Sequence, residues 1–285
     1  MYQVNWSLII ALYLFLAGVA AAAFYSGALA EIYSGGKYRR VAMWGNIIAL
    51  PLIVVGLALL VVDLGRPLSF WKFILNESFL PMFNPSSVMS LGTWLLSVFS
   101  ILLIINLVLF YVDKDSLRRG VSYVTMIFGV LVAGYTGVLL TSTSATLWHA
   151  TPFLGMLFLF SATSTGVAVL MLAVRFRNDA DEELLHLLGK ADAKVIVLEI
   201  LAFVALLVGL AIWAPSALWT IAIGSYAVAF WLGIVVVGLI APLAIEYSAV
   251  RSGRVSANSA YLSATLVLVG GFLMRYVILL AGQSG

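Results

Sequence analysis

The sequence predicts an all-α, polytopic integral membrane protein with eight transmembrane helices. Of its 285 residues, 64% are hydrophobic and 9% are charged, whereas soluble domains carry about 25% charged residues. A soluble fold of this composition would lack the polar surface needed to cover its apolar side chains. The apolar residues also fall into eight stretches long enough to cross a bilayer core, which needs roughly 20 residues per helix. A disordered chain, a nucleic-acid-binding protein and a secreted disulfide scaffold are therefore excluded.

The eight predicted spans alternate in direction through the membrane. They cover residues 7–31, 41–62, 88–112, 119–141, 152–174, 193–213, 219–246 and 258–281. Each is predicted to be a helix because backbone groups in lipid must be hydrogen-bonded within the segment. The first is expected to be a span rather than a cleaved signal, since no Lys or Arg precedes it. We expect two four-helix bundles, formed by residues 1–147 and 148–285.

Basic residues are concentrated on one side of the predicted membrane. Twelve of the fifteen Lys and Arg residues lie in or beside the four connections that alternation places together: Lys37, Arg39, Arg40, Lys114, Arg118, Arg119, Arg175, Arg177, Lys190, Lys194, Arg251 and Arg254. Only Arg66, Lys72 and Arg275 lie toward the other side. The positive-inside rule then puts the twelve in the cytoplasm and both chain termini outside it.

Two segments outside the spans have a character of their own. Residues 63–87 form a long predicted outer loop with three prolines, and loops of this length usually have a function. The segment DADEELLHLLGK at 179–190 places leucines beside charged residues. This pattern predicts a short interfacial helix on the cytoplasmic side.

Several polar groups are predicted to lie at one depth near the outer side. Alternation brings Tyr13, Asp63, Tyr135 and Arg275 to this level, and His149 in the connection TSTSATLWHATP lies close to it. Polar groups at membrane depth are costly, so they are functional candidates. Tyr and His donate hydrogen bonds of the kind that quinone carbonyls need. A nearby carboxylate can accept the protons that quinol oxidation releases.

Each of these residues has a structural alternative. Tyr13 suits an ordinary interfacial aromatic belt, and Tyr135 lies in GYTG, where small residues favour close helix packing. Asp63 and Arg66 are spaced to pair with each other. Arg275 has the length to reach the interface, and His149 suits a simple loop residue. The sequence leaves both sets of interpretations open.

Four further polar residues lie within the spans: Asn46, Asn106, Glu199 and Glu246. They suit hydrogen bonds between helices better than a proton or water path. A haem is not expected, because the two histidines, His149 and His186, fall on opposite sides of the membrane. The absence of cysteine argues against an iron–sulfur cluster within this protein, and no metal site is predicted.

Six segments together resemble the membrane subunit of the polysulfide reductase, or NrfD-like, family. They are YLFLAGVAAAAF at 13–24, DLGRPLSFWKFIL at 63–75, FNPSSVMSLGTW at 83–94, GYTGVLLTSTSATLWHATP at 134–152, LFLFSATSTG at 157–166 and RYVILLAGQ at 275–283. The resemblance covers almost the whole sequence, and its specificity lies in the combination of the segments.

The resemblance implies a quinone-interacting anchor subunit of a molybdopterin oxidoreductase complex with molybdenum or tungsten. Such a subunit exchanges electrons between the quinone or quinol pool and a ferredoxin-like iron–sulfur subunit, which passes them to or from the molybdopterin catalytic subunit. It implies that both partners dock on the outer face of a prokaryotic cytoplasmic membrane. The first bundle, residues 1–147, would hold the quinone pocket, and the terminal catalytic centre would lie in the partner.

The resemblance also assigns roles to individual residues. Tyr135 matches the family tyrosine that contacts the quinone, while Tyr13 stands where some members have a histidine. Ile10 stands where those members have an asparagine, so the pocket has one donor fewer. Asp63 and Arg66 match the acidic and basic positions after the second helix. The implied quinone-binding set is Tyr13, Asp63, Arg66, Tyr135, His149 and Arg275, with Asp63 and Tyr135 in the proton chemistry.

Two other classes of function stay open on the sequence alone. A secondary transporter or proton-conducting module is compatible with eight spans and scattered carboxylates. Transporters tend to have broken helices and charges at the membrane midplane, which the charges here avoid, Glu199 coming nearest. A purely structural anchor without a ligand pocket is the third interpretation.

Overall fold

The described part of the protein is built from helices. The computed structural model describes residues 8–63, 67–75, 81, 83–143, 145–149, 151–176, 182–252 and 257–283. The helices are α1 Leu8–Tyr33, α2 Arg39–Asp63, α3 Val88–Tyr111, α4 Asp115–Thr141, α5 Thr146–His149, α6 Phe153–Phe176, α7 Glu182–Trp213, α8 Pro215–Ala222, α9 Ala241–Ser252 and α10 Ala257–Gln283. A 3₁₀ helix covers Pro67–Phe73, and a π-helical stretch at Ala229–Ile240 leads into α9.

The prediction of an all-α membrane protein with eight spans is confirmed. Within the described residues, eight helices are long and apolar enough to cross a bilayer. They are α1, α2, α3, α4, α6, α7, the π-helical stretch together with α9, and α10. The molecule is therefore a multi-pass membrane protein.

Local sequence explains several helix boundaries. Ser87 caps α3, because its side-chain oxygen accepts a hydrogen bond from the backbone N–H of Ser90 at 3.3 Å. Gly35 and Gly36 have φ angles of 63° and 102° in the turn between α1 and α2, a region that favours glycine. Pro215 stands at the start of α8, where its missing N–H costs nothing.

Two predicted boundaries were wrong. Residues 182–190 of the predicted interfacial segment 179–190 do not form a separate helix, since α7 runs unbroken from Glu182 to Trp213; residues 179–181 lie outside the described residues. Its buried stripe continues at helical spacing from Leu185 and Leu188 to Asp192, so the same face packs inward throughout. The seventh span starts later than residue 219, because a turn at residues 223–226 separates the short α8 from the π-helical stretch.

One end of the bundle is held together by ion pairs, and we call it the basic end. It is the end at which α1 and α3 finish and α2, α4 and α7 begin. Arg118 of α4 donates from both terminal nitrogens to the carboxylate of Glu31, and both side chains are about 5% exposed. Arg39 of α2 pairs with Asp113 at 2.9 Å and with Asp115 at 3.0 Å. These contacts place four helix ends on one side.

A further ion pair brings α7 to the same end. Lys37, in the turn after α1, pairs with Glu183 in the first turn of α7. The hydrogen bond to the Glu183 carboxylate raises the pKa of Lys37 above its ordinary value. Both groups are exposed, and such pairs contribute little to stability. The Lys37–Glu183 contact nevertheless shows that α7 begins at the basic end.

The opposite end is closed by the connection between α4 and α6. Trp148 in α5 is buried, and its Nε1 donates to the backbone oxygen of Ile278 in α10 at 2.9 Å. Its indole packs against Gly282, where any Cβ would overlap the ring. Near the end of α7, a Cβ at Gly209 would lie 2.9 Å from the Thr151 side chain. Helices α4, α7 and α10 therefore end on this side, as their alternating directions predict.

Helix α1 forms the centre of the molecule. It packs against α2, α4, α6 and α10, and the run Ala20–Ala23 is fully buried. Small residues allow these helices to approach closely. A Cβ at Gly45 of α2 would lie 2.5 Å from the backbone oxygen of Ala23, and one at Gly166 of α6 would overlap Ala22. Polyalanine on one helix and glycine on its neighbours thus create the core.

The second half of the protein joins this core through α6. Helix α6 packs against α1 and α4 as well as against α7 and α10. The π-helical stretch lies against α10, and a Cβ at Gly238 would lie 2.7 Å from the Cα of Gly270. The division into bundles 1–147 and 148–285 stays a prediction.

The buried Glu31–Arg118 pair should dominate the stability of the basic end. The variant Arg118→Met leaves the Glu31 carboxylate buried without its main partner, which costs about 3–5 kcal/mol of unfolding free energy. Arg119→Met is the matched control, because Arg119 is half-exposed and its Nε lies 3.7 Å from Glu31. Its expected cost is at most about 1 kcal/mol. Denaturation in mixed micelles measures both, and equal losses would contradict the prediction.

Candidate functional site

Two buried tyrosines from neighbouring helices lie together toward the opposite end. Tyr13 of α1 is 1% exposed and Tyr135 of α4 is 9% exposed. The two phenols lie close enough to interact electrostatically. We call them the tyrosine pair. The structure therefore brings together two of the residues that the sequence placed at one depth.

Glycines on α2 and α3 make room for the tyrosine pair. A Cβ at Gly56 of α2 would lie 3.7 Å from Cδ2 of Tyr13, which is ordinary van der Waals contact. A Cβ at Gly92 of α3 would overlap the ring and hydroxyl of Tyr135. The Tyr135 side chain therefore lies directly on the α3 backbone. Close helix packing around GYTG is confirmed, whereas the quinone-binding role of Tyr135 stays a prediction.

Asp63 and His149 lie at the same end but at the surface. Asp63 is the last residue of α2 and is exposed. His149 is exposed at the end of α5, and its Nδ1 lies 3.0 Å from the backbone oxygen of Thr141. This contact holds the imidazole against the end of the helix that carries Tyr135. Arg66, the third residue predicted here, lies outside the described residues.

Arg275 occupies a different place from the tyrosine pair. It is wholly buried, so it does not extend to the interface. Its guanidinium lies 5.6 Å from the ring centroid of Phe15, whereas Tyr13 faces α2. Residues two apart on a helix point in nearly opposite directions. Helix α1 therefore separates Arg275 from the tyrosine pair.

Around Arg275 the structure assembles an interior polar group. Nη1 of Arg275 donates to the backbone oxygen of Gly271 at 2.8 Å and to Oγ of Ser161 at 3.2 Å. The Ser161 hydroxyl also lies beside the Glu199 carboxylate of α7. Glu199 is thus an electrostatic neighbour of Arg275. Arg275 and the Glu199 carboxyl group thus lie on either side of the Ser161 hydroxyl in the interior of the helix bundle.

The sequence reasoning missed Asp192. This residue of α7 is 0% exposed, and neither carboxylate oxygen has a hydrogen-bond partner among the described residues. Its neighbours are Glu246 of α9 and Ser164 of α6. The signal was the helical spacing, because Asp192 and Glu199 are seven residues apart and lie on the same face of α7.

The two asparagines differ from each other. Asn106 connects two helices, since its Nδ2 donates to Thr125 at 2.8 Å and its Oδ1 accepts from Ser122 at 2.7 Å. This confirms the prediction of a helix-bridging role. Asn46 is buried on α2, and its Oδ1 has no partner among the described residues. Glu246 also bridges helices, because its Oε1 accepts from Ser263 of α10 at 2.7 Å.

These features define a class of protein: a helical membrane subunit with a buried tyrosine pair near one face and interior carboxylates toward the other. The protein belongs to the polysulphide reductase, NrfD family, whose profile matches residues 1–284. It is 32% identical to the C subunit of polysulfide reductase from Wolinella succinogenes over 310 aligned positions, covering 99% of this protein and 95% of that subunit.

Two NrfD proteins are similar over comparable lengths. Protein NrfD of Escherichia coli is 29% identical, with 98% of the present sequence and 95% of that protein covered. The NrfD homolog of Haemophilus influenzae is 29% identical, with 98% and 94% covered. The family that the sequence segments resemble is therefore confirmed along the whole length of the protein.

The contact between Gly92 and Tyr135 can be tested directly. Gly92→Ala places a methyl group where the phenol lies, and overpacking of this kind costs about 1–3 kcal/mol. In a Tyr135→Leu background the same change should cost less, giving a favourable coupling in a double-mutant cycle. Gly134→Ala is the control, because a Cβ at Gly134 meets open space. Additive effects of the two substitutions would show that the contact is absent.

Proposed function

We propose that this protein is the quinone-reactive membrane subunit of an oxidoreductase complex. It would exchange electrons between the membrane quinone or quinol pool and an iron–sulfur subunit of that complex. The observation that carries the proposal is the family match over residues 1–284, with a relative that is named as a component of polysulfide reductase. The tyrosine pair supplies a place in this protein at which the exchange can occur.

The tyrosine pair suits a quinone head group chemically. A quinone has two carbonyl oxygens on an apolar ring, and each phenol supplies one O–H donor. Ligand sites of this kind are mostly apolar with a few placed polar groups. The surroundings of Tyr13 and Tyr135 meet that description, since Leu14, Ala17 and Leu139 nearby are buried. In this proposal the head group enters from the lipid between α1, α2 and α4.

The proton chemistry is assigned to the surface carboxylate. A bound quinol supplies two electrons and two protons on oxidation, and a quinone takes them up on reduction. Tyr135 and Tyr13 orient the oxygens by hydrogen bonding. Asp63 exchanges protons with water at the opposite end, for which its exposure at the end of α2 is suited. Arg66 and His149 complete the polar rim, and Arg275 acts from behind α1 through its charge.

The proposed orientation rests on the charge distribution, and the proposed partners rest on the family. The basic end faces the cytoplasm of a prokaryotic cell by the positive-inside rule, so both termini and the opposite end face outward. The three relatives reported above come from bacteria. A ferredoxin-like iron–sulfur subunit and a molybdopterin catalytic subunit would dock on the outward face. The 3₁₀ helix at Pro67–Phe73 and α5 would form the docking surface for these subunits, next to the lipid head groups.

Removal of the Tyr135 hydroxyl tests the pocket. Tyr135→Phe keeps the ring on Gly92 but loses one hydrogen bond, worth about 1 kcal/mol, so quinol-dependent turnover should fall roughly fivefold. Tyr123→Phe is the matched control, because Tyr123 lies on the same helix and is 52% exposed. Turnover is measured in the assembled complex with a soluble acceptor or donor. A loss in the control as large as in Tyr135→Phe would assign the effect to the helix.

Removal of the Asp63 charge tests the proton acceptor. Asp63→Asn should lower turnover by about 10²-fold, the smaller end of the range for general acid–base groups. Asp113→Asn changes an exposed carboxylate at the basic end and should leave turnover unchanged. Normal turnover in both Tyr135→Phe and Asp63→Asn would discard the pocket but not the family. A quinone analogue that fails to bind the complex would then favour a structural anchor.

A further inference from the structure

The interior of the second half contains a pair of carboxylates that the quinone chemistry does not use. Asp192 of α7 is 0% exposed and Glu246 of α9 is 4% exposed. Both Asp192 oxygens and Oε2 of Glu246 have no hydrogen-bond partner among the described residues. The two side chains are neighbours. The third neighbour, the Ser164 hydroxyl of α6, is 1% exposed and also without a partner there.

Charge makes this arrangement informative. An ionised carboxylate in an apolar interior costs several kcal/mol unless it is paired, and two neighbouring carboxylates cannot both ionise cheaply. Within the described residues, no Lys or Arg forms an ion pair with either group. The buried Glu31 carboxylate, in contrast, receives two hydrogen bonds from Arg118. The unpartnered oxygens of Asp192 and Glu246 therefore suit a small cation that is shared between them. A proton meets this requirement, because it neutralises one carboxylate and lets the resulting acid donate a hydrogen bond to the other.

A small cleft near the basic end is lined by one member of this pair, Glu246. It has about 10 Å³ of water-accessible volume, roughly what one water molecule needs, and lies between the first turns of α7 and α10 and the last turns of α9. Glu246 and Ser263 line it together with Gly189 and Ser259, which lie nearer the starts of α7 and α10. The Ser263 hydroxyl donates to Oε1 of Glu246, whereas Oε2 has no hydrogen-bond partner among the described residues. Water entering the cleft would reach Glu246 first.

Hydroxyls on α6 connect the pair with the membrane interior. Ser164 lies beside Asp192, and Ser161, one turn away, lies beside Glu199. Glu199 follows Asp192 by two helical turns, about 10 Å along α7. Ser161 then contacts Arg275, next to α1. Three charged side chains interact electrostatically with the carboxyl groups on this route. Glu246 and Glu199 interact with Asp192, and Arg275 interacts with Glu199.

We propose that Asp192 and Glu246 form a proton-binding pair that loads from the basic end through this cleft and passes protons to Glu199. A proton from water converts one carboxylate of the pair to the acid. Transfer to Glu199 returns that group to the carboxylate, and the Ser164 and Ser161 hydroxyls relay the proton between them. No electron moves and no bond other than O–H changes. The proposal goes beyond the quinone chemistry and does not depend on it.

The first test labels the wild-type protein in its native membrane. Dicyclohexylcarbodiimide reacts with protonated carboxyl groups in apolar surroundings, and peptide mass spectrometry locates the adduct. We expect labelling at Asp192 or Glu246, and none at Glu31, which is equally buried but ion-paired with Arg118. Above the titration point of the pair, each further pH unit should reduce labelling about tenfold, since deprotonation removes the reactive form. Labelling of Glu31 to the same extent would overturn the proposal.

Sidedness tests the route. In right-side-out and inside-out vesicles with a pH difference across the membrane, labelling should follow the pH on the side of the basic end. Labelling that follows the pH on the other side would overturn loading through the cleft. Activity with quinol is not read in either experiment, so loss of the tyrosine pocket and loss of the proton-binding pair remain distinguishable.

If dicyclohexylcarbodiimide does not react, infrared spectroscopy tests whether the carboxylate pair is protonated. Infrared spectra of the purified complex should contain a carboxylic-acid C=O band at neutral pH that shifts in deuterated water. This band should decrease in Asp192→Asn and in Glu246→Gln but persist in Glu183→Gln, which changes an exposed carboxylate. A neutral-pH spectrum without the band, or a band unaltered in both interior variants, would overturn the proposal.

Discussion

A bilayer core supplies no water to a polar side chain, and this constraint organises the molecule. Each buried polar group must form a hydrogen bond with a neighbouring helix or with the backbone of its own helix, and a buried acid can also be neutralised by a proton. Glu31 finds Arg118, and Asn106 finds Thr125. The Thr163 hydroxyl donates to the backbone oxygen of Leu159 in its own helix and also contacts the hydroxyl of Tyr25. The exceptions among the described residues include Asn46, Ser164 and Glu246, and Asp192 is informative because neither of its carboxylate oxygens has a hydrogen-bond partner there.

The constraint also divides the protein into two working regions. Toward the opposite end, two phenols lie on glycines of α2 and α3, where rings pack against backbone. Toward the basic end, carboxylates and hydroxyls of α6, α7, α9 and α10 approach one another. Helix α1 separates the regions, with Tyr13 on one face and Phe15 against Arg275 on the other. Electrostatic influence can cross this helix, but a ligand bound at one region does not touch the other.

The depth of each residue along its helix was predictable from the sequence, whereas the side of the helix on which its side chain lies was not. Apolar run length sets the spans, and alternation sets the level of a residue, so Tyr13 and Tyr135 could be placed together. Residues 13 to 24 are almost uniformly apolar, which leaves no polar face to show that Arg275 lies behind α1. Asp192 escaped notice because Lys190 and Lys194 flank it, and charges on both sides resemble a solvated segment. Only packing against α6 and α9 distinguishes it.

The central position of α1 has a consequence for biogenesis. This helix leaves the ribosome before α6 and α10, yet both are among its lasting neighbours. In the interval its alanine and glycine surface faces lipid, or whatever the insertion machinery provides, without the close backbone contacts that later hold it. The burial of α1 can therefore be complete only after α10 has been synthesised and inserted beside it.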